Sequence, residues 1–396
     1  MADPTFTDPP TPTPDRTQSN TAFSAAVTAF LSWLQTFVTE MGTSITWMRA
    51  RVSEVAATAL SGDLPDITGK EGDALVVNSD ATAVAFAPAS KPENLLINSN
   101  FDIWQRGTSQ TSTGYGSADR WRFTGVGTTF TASRQDFAIG QTDVPGNLDR
   151  FLRVVTSSVA GAGNVFAFEQ RIEGVQTLSG QTATVTFWAK ADAAKDICTV
   201  FRHYFGTGGS PSVDVHFAPT TISLTTSWQK FCFTVSVPSV FGNDIGSDGN
   251  DFLSLGFYLD AGSDYDTLTN SLGHQSGTFD FAHVSVVSGD ATALSDPAQD
   301  RTYADELSLC QRYYETMVYD ILIGWFSSGI TYYAPRTFQV SKRATPALTF
   351  GNEAANAMGA ASPNTISAHS FSWGATASGT SVYAYRVTSW AADAEL

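Results

Sequence analysis

The first clear pattern along the chain is helical and covers residues 19–60. Apolar residues recur there at alternating steps of three and four, with one extra step of four between Met41 and Ile45. This is the spacing of a left-handed coiled coil with a single stutter, which falls at Gly42. We predict that the helix self-associates as a homotrimer; a single amphipathic helix packed on its own body is the alternative. The predicted seam is Val27, Phe30, Leu34, Phe37, Met41, Ile45, Met48, Val52 and Val55.

Two short segments flank this helix. Residues 1–18 hold five prolines, which fix φ and remove backbone donors, so we interpret them as an extended arm that docks on a partner. A disordered tail is the alternative. Residues 61–92 contain the apolar runs 75–77 and 84–86, which predict a small β hairpin or collar. Such a hairpin is too small to be stable alone, whereas several copies around an axis would stabilise each other.

Residues 93–298 carry a different pattern, in which apolar and polar positions alternate. A period of two, interrupted by Gly, Asp and Ser turns, predicts strands with one buried face and therefore an antiparallel β-sandwich. The large aromatics of this region are interpreted as core or corner residues; they are Trp104, Trp121, Trp188 and Trp228. The clearest alternating segments are Val185, Phe187 and Ala189; Phe231, Phe233, Val235 and Val237; Leu253, Leu255, Phe257 and Leu259; and Ala282, Val284 and Val286.

The last region, residues 299–396, begins with a predicted short helix at 302–314 and continues as strand-like aromatic segments. Aromatic rings stack on the flat faces of sugars, and Ser, Thr and Asn side chains around them can bind hydroxyl groups. We therefore predict a β domain that forms a receptor-binding tip; the alternative is that the same rings form its core. The candidate glycan-binding residues are Trp325, Tyr332, Tyr333, Trp373, Tyr383 and Trp390.

Composition and charge exclude several classes of protein. The net charge is −16, with 38 acidic and 22 basic residues, so the chain repels phosphate backbones and anionic lipids. Nucleic acid is therefore not an expected partner. No basic and apolar leader is found at the start, and no uninterrupted apolar run reaches 18 residues, so membrane insertion is not expected. Cys198, Cys232 and Cys310 form no CxxC spacing, which argues against a disulfide framework or a zinc site.

Motifs of catalysis and cofactor binding are missing from the sequence. The five histidines show no HExxH spacing, and no GxSxG, P-loop or GxGxxG motif is found. We expect no cofactor and no enzymatic activity, although the carboxylate pairs of glycosidases leave no sequence spacing. The loop at 241–252 offers a weak calcium candidate in Asp244, Asp248 and Asp251, whose spacing differs from that of an EF-hand; a plain acidic turn is the alternative.

Nine short sequence segments occur in a characteristic order along the chain. They are FTDPPTPTPDR, NLLINSNFDIWQRGTS, DRWRF, FWAKA, SWQKFCFTVSVPS, FYLDAGS, SGTFDFAHVSVVSGD, LCQRYYET and VSKRATPALTF. Together they resemble the bacteriophage tail-fibre family whose main domain is a carbohydrate-binding-module-like jelly roll; the last 45 residues have no counterpart in that family. Arg106, Arg120 and Arg122 lie in the second and third segments and are expected either to pair with acids of the sandwich or to stay solvated.

The resemblance implies a mainly β virion protein that is made in the host cytoplasm. It would be a homotrimeric tail fibre that docks on tail or baseplate proteins through its N-terminal arm and recognises a host surface glycan. One alternative is a baseplate or tail-tip component that binds only virion proteins. A less favoured alternative is a polysaccharide depolymerase.

Overall fold

The structure is a computed structural model that describes residues 6–11, 15, 17, 19–60, 73–77, 84–88 and 91–396, except 147, 295, 300 and 380. The chain divides into two compact units. The first comprises Met1–Glu71 with Leu75–Phe86, and the second comprises Gly72–Ala74 with Ala87–Leu396. Each unit is described separately.

The first unit is dominated by one helix, α1 (Asn20–Leu60). Much of the predicted seam is exposed on it: Leu34, Met41, Ile45, Met48 and Val52 are solvent-accessible, and Val27, Phe30 and Phe37 are half-buried. The side chain of Val55 lies outside the described residues. The helix is therefore present as predicted, with an apolar face that its own unit leaves largely uncovered, and its oligomeric state stays a prediction.

Part of the N-terminal arm lies against this helix. The ring of Phe6 is 5.7 Å from that of Phe37, the indole N–H of Trp33 donates to Thr7 O at 2.8 Å, and Thr7 N–H donates to Glu40 Oε2 at 2.8 Å. The arm is thus not wholly free for a partner, because its Phe6 covers one residue of the predicted seam.

The same helix also meets a length and composition test for a membrane span. Within Asn20–Ser53, an 18-residue window reaches a mean hydropathy of 1.3. The expectation that no segment could span a membrane counted unbroken apolar runs, whereas Ala, Gly, Thr and Ser interrupt such runs here without lowering the average much. Core helices of soluble proteins pass the same test, so length and composition alone do not choose between a membrane and a coiled coil.

Two strands, β1 (Asp73–Val77) and β2 (Val84–Pro88), pair in a small sheet at the predicted hairpin. The second unit then opens with an antiparallel sandwich of two sheets. Its strands are β3 (Ser109–Gln110), β4 (Trp121–Val126), β5 (Thr129–Asp136), β6 (Arg150–Ser157), β7 (Val165–Glu173), β8 (Thr182–Ala191), β9 (Lys195–Tyr204), β10 (Val215–Leu224), β11 (Gln229–Ser236), β12 (Phe252–Ala261) and β13 (Gly277–Ser288). The six-stranded sheet has the order β11-β8-β13-β6-β5-β3, and the five-stranded sheet has the order β10-β9-β12-β7-β4.

The core of the sandwich lies between these sheets and is rich in phenylalanine. Phe168 and Phe257 stack at 4.9 Å, Phe187 meets Phe257 edge-on at 5.2 Å, and Trp121 is fully buried beside them. The predicted alternation is confirmed on β8, β11 and β12, whose predicted inward residues pack in this core. On β13 it is wrong for Ala282: a bulge between Ala282 and Ser285 shifts the register, so Val284 and Val286 lie in the core whereas Ala282 packs in a separate cluster with Phe151. All three cysteines are free thiols.

The C-terminal region forms a smaller double-layered β domain. Helix α3 (Tyr303–Gln311), which follows the four-residue α2 (Asp266–Thr269), is capped by Thr302, whose side chain accepts from Asp305 N–H. A four-stranded sheet contains β14 (Tyr314–Phe326), β16 (Ala347–Phe350), β17 (Ala354–Asn356) and β20 (Ser381–Asp393), and a three-stranded sheet contains β15 (Thr331–Thr337), β18 (Ser362–Ile366) and β19 (Ser370–Thr376).

The C-terminal domain is attached to the sandwich by a cluster of arginines. Arg106 is buried and pairs with Asp393 at 3.1 Å and with Glu395 at 3.2 Å. Arg120 is fully buried, pairs with Glu395, and has the ring of Tyr313 3.3 Å from its guanidinium carbon. Of the two alternatives for these arginines, pairing with acids therefore holds, but the predicted partners in the sandwich are wrong for Arg106 and Arg120, whose partners come from the end of the C-terminal domain. Arg122 lies 3.6 Å from Glu169 within the sandwich.

Candidate functional site

The outer face of the five-stranded sheet carries a row of polar and aromatic side chains. Strand register places Arg171 of β7 opposite Ser254 of β12, and Ser254 opposite Arg202 of β9. One row further along, Glu169 lies opposite Gly256. Because side chains alternate between the faces of a sheet, these residues share the solvent face while their neighbours Leu253 and Leu255 fill the core.

A groove opens on this face at a glycine. Its volume is about 180 Å³, and its lining includes Arg122, Glu169, Arg202, Gly256, Tyr258 and Tyr265. A Cβ added at Gly256 would meet its nearest neighbour, Tyr258 Cε2, at 3.4 Å. The missing side chain therefore leaves the space above the strand, and two tyrosine rings border it.

Fixed charges line this groove. Glu169 Oε1 accepts from Arg171 Nε at 2.8 Å and Glu169 Oε2 accepts from Ser254 Oγ at 3.1 Å. Arg202 Nη2 pairs with Asp214 Oδ2 at 2.8 Å, whereas its Nε is buried and has no hydrogen-bond partner among the described residues. An unpaired buried donor of this kind costs stability. Because the atom is covered, it is not itself a contact that the groove presents.

Tyr258, one of the two tyrosines that border the groove, is held in its neutral form. Burial raises the pKa of Tyr258 above its usual range. Its O–H therefore remains a donor as well as an acceptor at neutral pH. Together with the arginine donors and the Glu169 acceptor, it gives the groove both kinds of hydrogen-bonding group next to an aromatic surface.

A second cavity, of about 190 Å³, continues the groove along the strands. It is lined by Arg171, Arg202, Tyr204, Asn250, Phe252 and Leu396. The guanidinium carbon of Arg171 lies 4.4 Å from the ring centre of Phe252, and that of Arg202 lies 4.9 Å from the ring centre of Tyr204. Arg202 lines both cavities. The rows from Phe252 to Tyr258 extend over about 20 Å, which is the length of an oligomer rather than of a single small molecule.

The predicted glycan-binding residues do not form one site. Trp373 and Trp390 are 0% and 3% exposed, and both indole N–H groups donate to Asp320 Oδ2, at 2.9 and 3.1 Å. Their assignment to a sugar-binding surface is therefore wrong: they form the domain's core. Trp325 is 77% exposed and Tyr383 is also exposed.

The other two candidates lie on β15, in the other sheet. Tyr333 is exposed, whereas Tyr332 is half-buried and its hydroxyl accepts from Ser327 N–H at 3.0 Å. Sequence reasoning missed the groove residues on β7, β9 and β12. Their alternation was visible in the sequence, but nothing in it showed which outer face would remain open.

The calcium candidate is not assembled either. Asp251 Oδ2 accepts from Val175 N–H at 2.7 Å and Asp248 Oδ2 accepts from Thr207 Oγ1 at 2.8 Å. In the part of the chain that the structure describes, no three acidic, histidine or cysteine side chains gather as a metal site would require. Asp248 and Asp251 therefore serve to fasten neighbouring loops, as in the acidic-turn alternative.

A Ser–His–Asp cluster on the sandwich has the wrong geometry for nucleophilic catalysis. Ser158 Oγ and Asp260 Oδ1 lie 3.2 and 3.1 Å from the same nitrogen, His274 Nδ1. His274 Nε2 faces the carbonyl oxygen of Gly161 at 3.0 Å. A catalytic histidine needs the acid on one nitrogen and the nucleophile on the other. This cluster instead joins two loops.

Comparisons with known proteins give structural neighbours only. No protein-family model and no curated protein matches the sequence. One neighbour is the enzymatically active domain of bacteriophage CBA120 tailspike protein 4, at 14% identity and a TM-score of 0.30 over 50% of this chain; this chain covers 21% of that one.

Two further neighbours are carbohydrate-binding modules. A family 11 module from Clostridium thermocellum, in complex with a β-1,3-1,4-mixed-linked tetrasaccharide, has 12% identity and a TM-score of 0.28 over 46% of this chain and 95% of its own. The CBM22-2 xylan-binding domain of Paenibacillus barcinonensis Xyn10C has 19% identity and a TM-score of 0.26 over 43% of this chain and 92% of its own. At these values the neighbours do not identify the family of this chain.

Proposed function

We propose that this protein is a homotrimeric virion attachment protein of the tail-fibre type, and that its sandwich binds a host surface glycan in the groove on the five-stranded sheet. The observation that carries the glycan proposal is the groove itself. Its glycine floor, two tyrosine rings and the charged side chains of Arg202 and Glu169 offer stacking surfaces and hydrogen-bonding groups on one open face.

The groove replaces the C-terminal aromatics as the proposed receptor site. Guanidinium groups present several donors in fixed directions, which suits the vicinal hydroxyl and carboxylate oxygens of sugars. A groove about 20 Å long binds several sugar units, and three copies on one fibre would add avidity to weak individual contacts.

The test is binding of the full chain to an array of bacterial surface glycans. Gly256→Leu fills the groove with a side chain that its backbone accommodates, and Arg202→Ala removes the shared arginine. Each should weaken glycan binding by at least about tenfold, in line with the loss of a central contact. Arg134→Ala, on the six-stranded sheet, is the matched control and should bind like the parent chain.

Two outcomes would contradict the glycan proposal. One is parent-like binding by Gly256→Leu and Arg202→Ala with unchanged folding. The other is the absence of glycan binding by the parent while whole virions still attach to cells. The second outcome would favour the virion-only component, which docks through its arm and through apolar faces and carries no receptor site.

We also propose that the protein has no hydrolytic activity. Glu169 is the carboxylate of the groove, and it is engaged by Arg171 and Ser254 rather than placed opposite a free second carboxylate. Incubation with a polysaccharide that the array identifies should leave its chain length unchanged. Release of oligosaccharides by the parent, and not by Glu169→Gln, would instead establish a depolymerase.

A further inference from the structure

The four-stranded sheet of the C-terminal domain presents an apolar outer face. Tyr319 of β14 is 74% exposed, and Ile321, Ile323 and Trp325 on the same strand are exposed with it. Register places Ile321 opposite Val387 and Ile323 opposite Tyr385 on β20. Aliphatic and aromatic side chains therefore run along both strands on the side away from the domain's core.

Most charges of these two strands lie on the other side. Glu315 and Asp320 of β14 and Arg386 of β20 are buried in the domain, where Glu315 pairs with Lys342 and Asp320 binds Arg336. Two carboxylates lie at the edge of the solvent face: Asp393, at the end of β20, pairs with Arg106 of the sandwich, and Glu353 accepts from Ser389 Oγ at 2.7 Å. Among the described residues of β14 from Tyr319 to Trp325, the exposed positions carry no charge.

The size of this face suits a weak protein interface. Strands β14 and β20 have 13 residues each, and two strands of that length at ordinary spacing cover roughly 400 Å². An apolar patch of that size on a monomer is often functional. Two such faces in contact would bury roughly 800 Å² in total, so we expect a weak contact that a second contact between the same copies strengthens.

We propose that this face, defined by Tyr319, Ile321, Ile323 and Trp325, is a self-association surface on which the C-terminal domains of different copies meet. The row from Tyr319 to Trp325 carries no charge, which allows contact there between copies that each carry a net charge of −16, because no like charges oppose each other along that row. A charged partner would gain no pairing from it.

The rest of the chain supports the choice of a second copy as the occupant. Helix α1 also exposes an apolar face, and its heptad spacing is that of homotypic coiled coils. One assembly of identical chains covers both faces, and association through the helix raises the effective concentration for association through the sheet. Trp325 is accordingly assigned to assembly and not to a receptor.

The first experiment separates the sheet face from the helix. In a full chain carrying Leu34→Asp and Ile45→Asp on α1, sedimentation equilibrium should still show self-association. Adding Ile323→Asp should raise the apparent dissociation constant by at least about tenfold. Ile139→Asp, at a fully exposed apolar position of the sandwich, is the matched control and should leave the constant unchanged.

The second experiment needs no destabilising change. A photo-crosslinking amino acid at Trp325 of the otherwise unaltered chain should join β14 or β20 of another copy. Cross-links confined to the same copy would overturn the proposal. So would a Leu34→Asp and Ile45→Asp chain that is monomeric at every concentration in the first experiment. The proposal would also be overturned if Ile323→Asp lost glycan binding while its self-association stayed unchanged. In that case the face would be a receptor-binding surface separate from the groove.

Discussion

At the scale of single residues, the buried carboxylate of Glu395 joins the two domains of the second unit by pairing with Arg120 and Arg106. Arg120 is fully buried, and its only carboxylate partner among the described residues is Glu395, which is itself almost inaccessible. Replacing one member of such a pair leaves the other charge buried and uncompensated, which is costlier than the pair's own contribution.

We therefore expect Glu395→Gln to lower the free energy of unfolding by about 3–5 kcal/mol. Chemical denaturation monitored by tryptophan fluorescence measures this change. Asp393→Asn is the matched control, because Asp393 is 45% exposed and its pair with Arg106 should contribute at most about 1 kcal/mol. If the two variants lost the same free energy of unfolding, burial of the Arg120–Glu395 pair would not be the cause of the loss.

A second residue makes stability depend on pH. Burial raises the pKa of Asp119 from 3.8 to about 6, although the side chain and backbone N–H groups of Gln105 act to lower it. The folded state therefore holds a proton that the unfolded state releases near pH 4, so the stability that Asp119 contributes is fully present below that pH and is lost as pH rises to 6.

Asp119→Asn should remove part of this decline. The amide keeps an acceptor for Gln105 N–H but carries no titrating charge. Melting temperatures measured between pH 4 and 7 should fall with pH in the parent chain and fall less in the variant. Identical slopes would mean that Asp119 is already ionised at pH 4 in the folded protein. Asp102, whose pKa burial also raises to about 6, accounts for the remaining decline.

At the scale of elements, the helix and the sandwich strands were predictable from periodicity. A period of two predicts which side of β8 and β12 enters the core, and the rings there are buried as expected. On β13 the bulge between Ala282 and Ser285 breaks this period, which the sequence pattern did not show. The C-terminal aromatics were not predictable in this way. Whether Trp373 or Trp325 is buried depends on which strands pair and on where Asp320 lies, and those contacts join residues more than 50 positions apart.

The groove escaped prediction for a related reason. Arg171, Arg202 and Gly256 come from three strands that are neighbours only in the folded sheet. The sequence shows that each lies on a polar face, but strand order decides that they meet. Resemblance to the tail-fibre family implied a sandwich without locating its open face.

The exposed seam of α1 predicts that copies of the chain associate through this helix. Leu34→Asp with Ile45→Asp places charges in the seam and should dissociate the assembly formed through α1, since a buried unpaired carboxylate is strongly unfavourable. Both positions avoid Phe37, which Phe6 already contacts. Light scattering should show a reduced mass at low concentration, and Gln35→Asp, on the exposed side, should not change it.

Two observations would count against the coiled coil. The parent chain could prove monomeric at concentrations where fibres would form. Alternatively, it could co-float with lipid vesicles in the absence of detergent, in which case the mean hydropathy of Asn20–Ser53 would reflect a membrane span.

At the scale of the whole molecule, the arginine cluster makes the sandwich depend on the C-terminal domain. A chain ending at Tyr314 would lose Asp393 and Glu395 and would leave Arg106 and Arg120 without these carboxylate partners. We expect residues 1–314 to melt at a clearly lower temperature than the full chain, even though the core of the sandwich is intact.

The cause of that loss can be tested by removing the arginines as well. Replacing Arg106 and Arg120 by Leu in the 1–314 chain removes the uncompensated charges and should recover part of the melting temperature, whereas the same changes in the full chain should lower it. A 1–314 chain that melts like the full protein would instead show two independent domains. Receptor binding by a truncated chain is informative only after this comparison, because a destabilised sandwich would lose its groove for reasons unrelated to the domain that was removed.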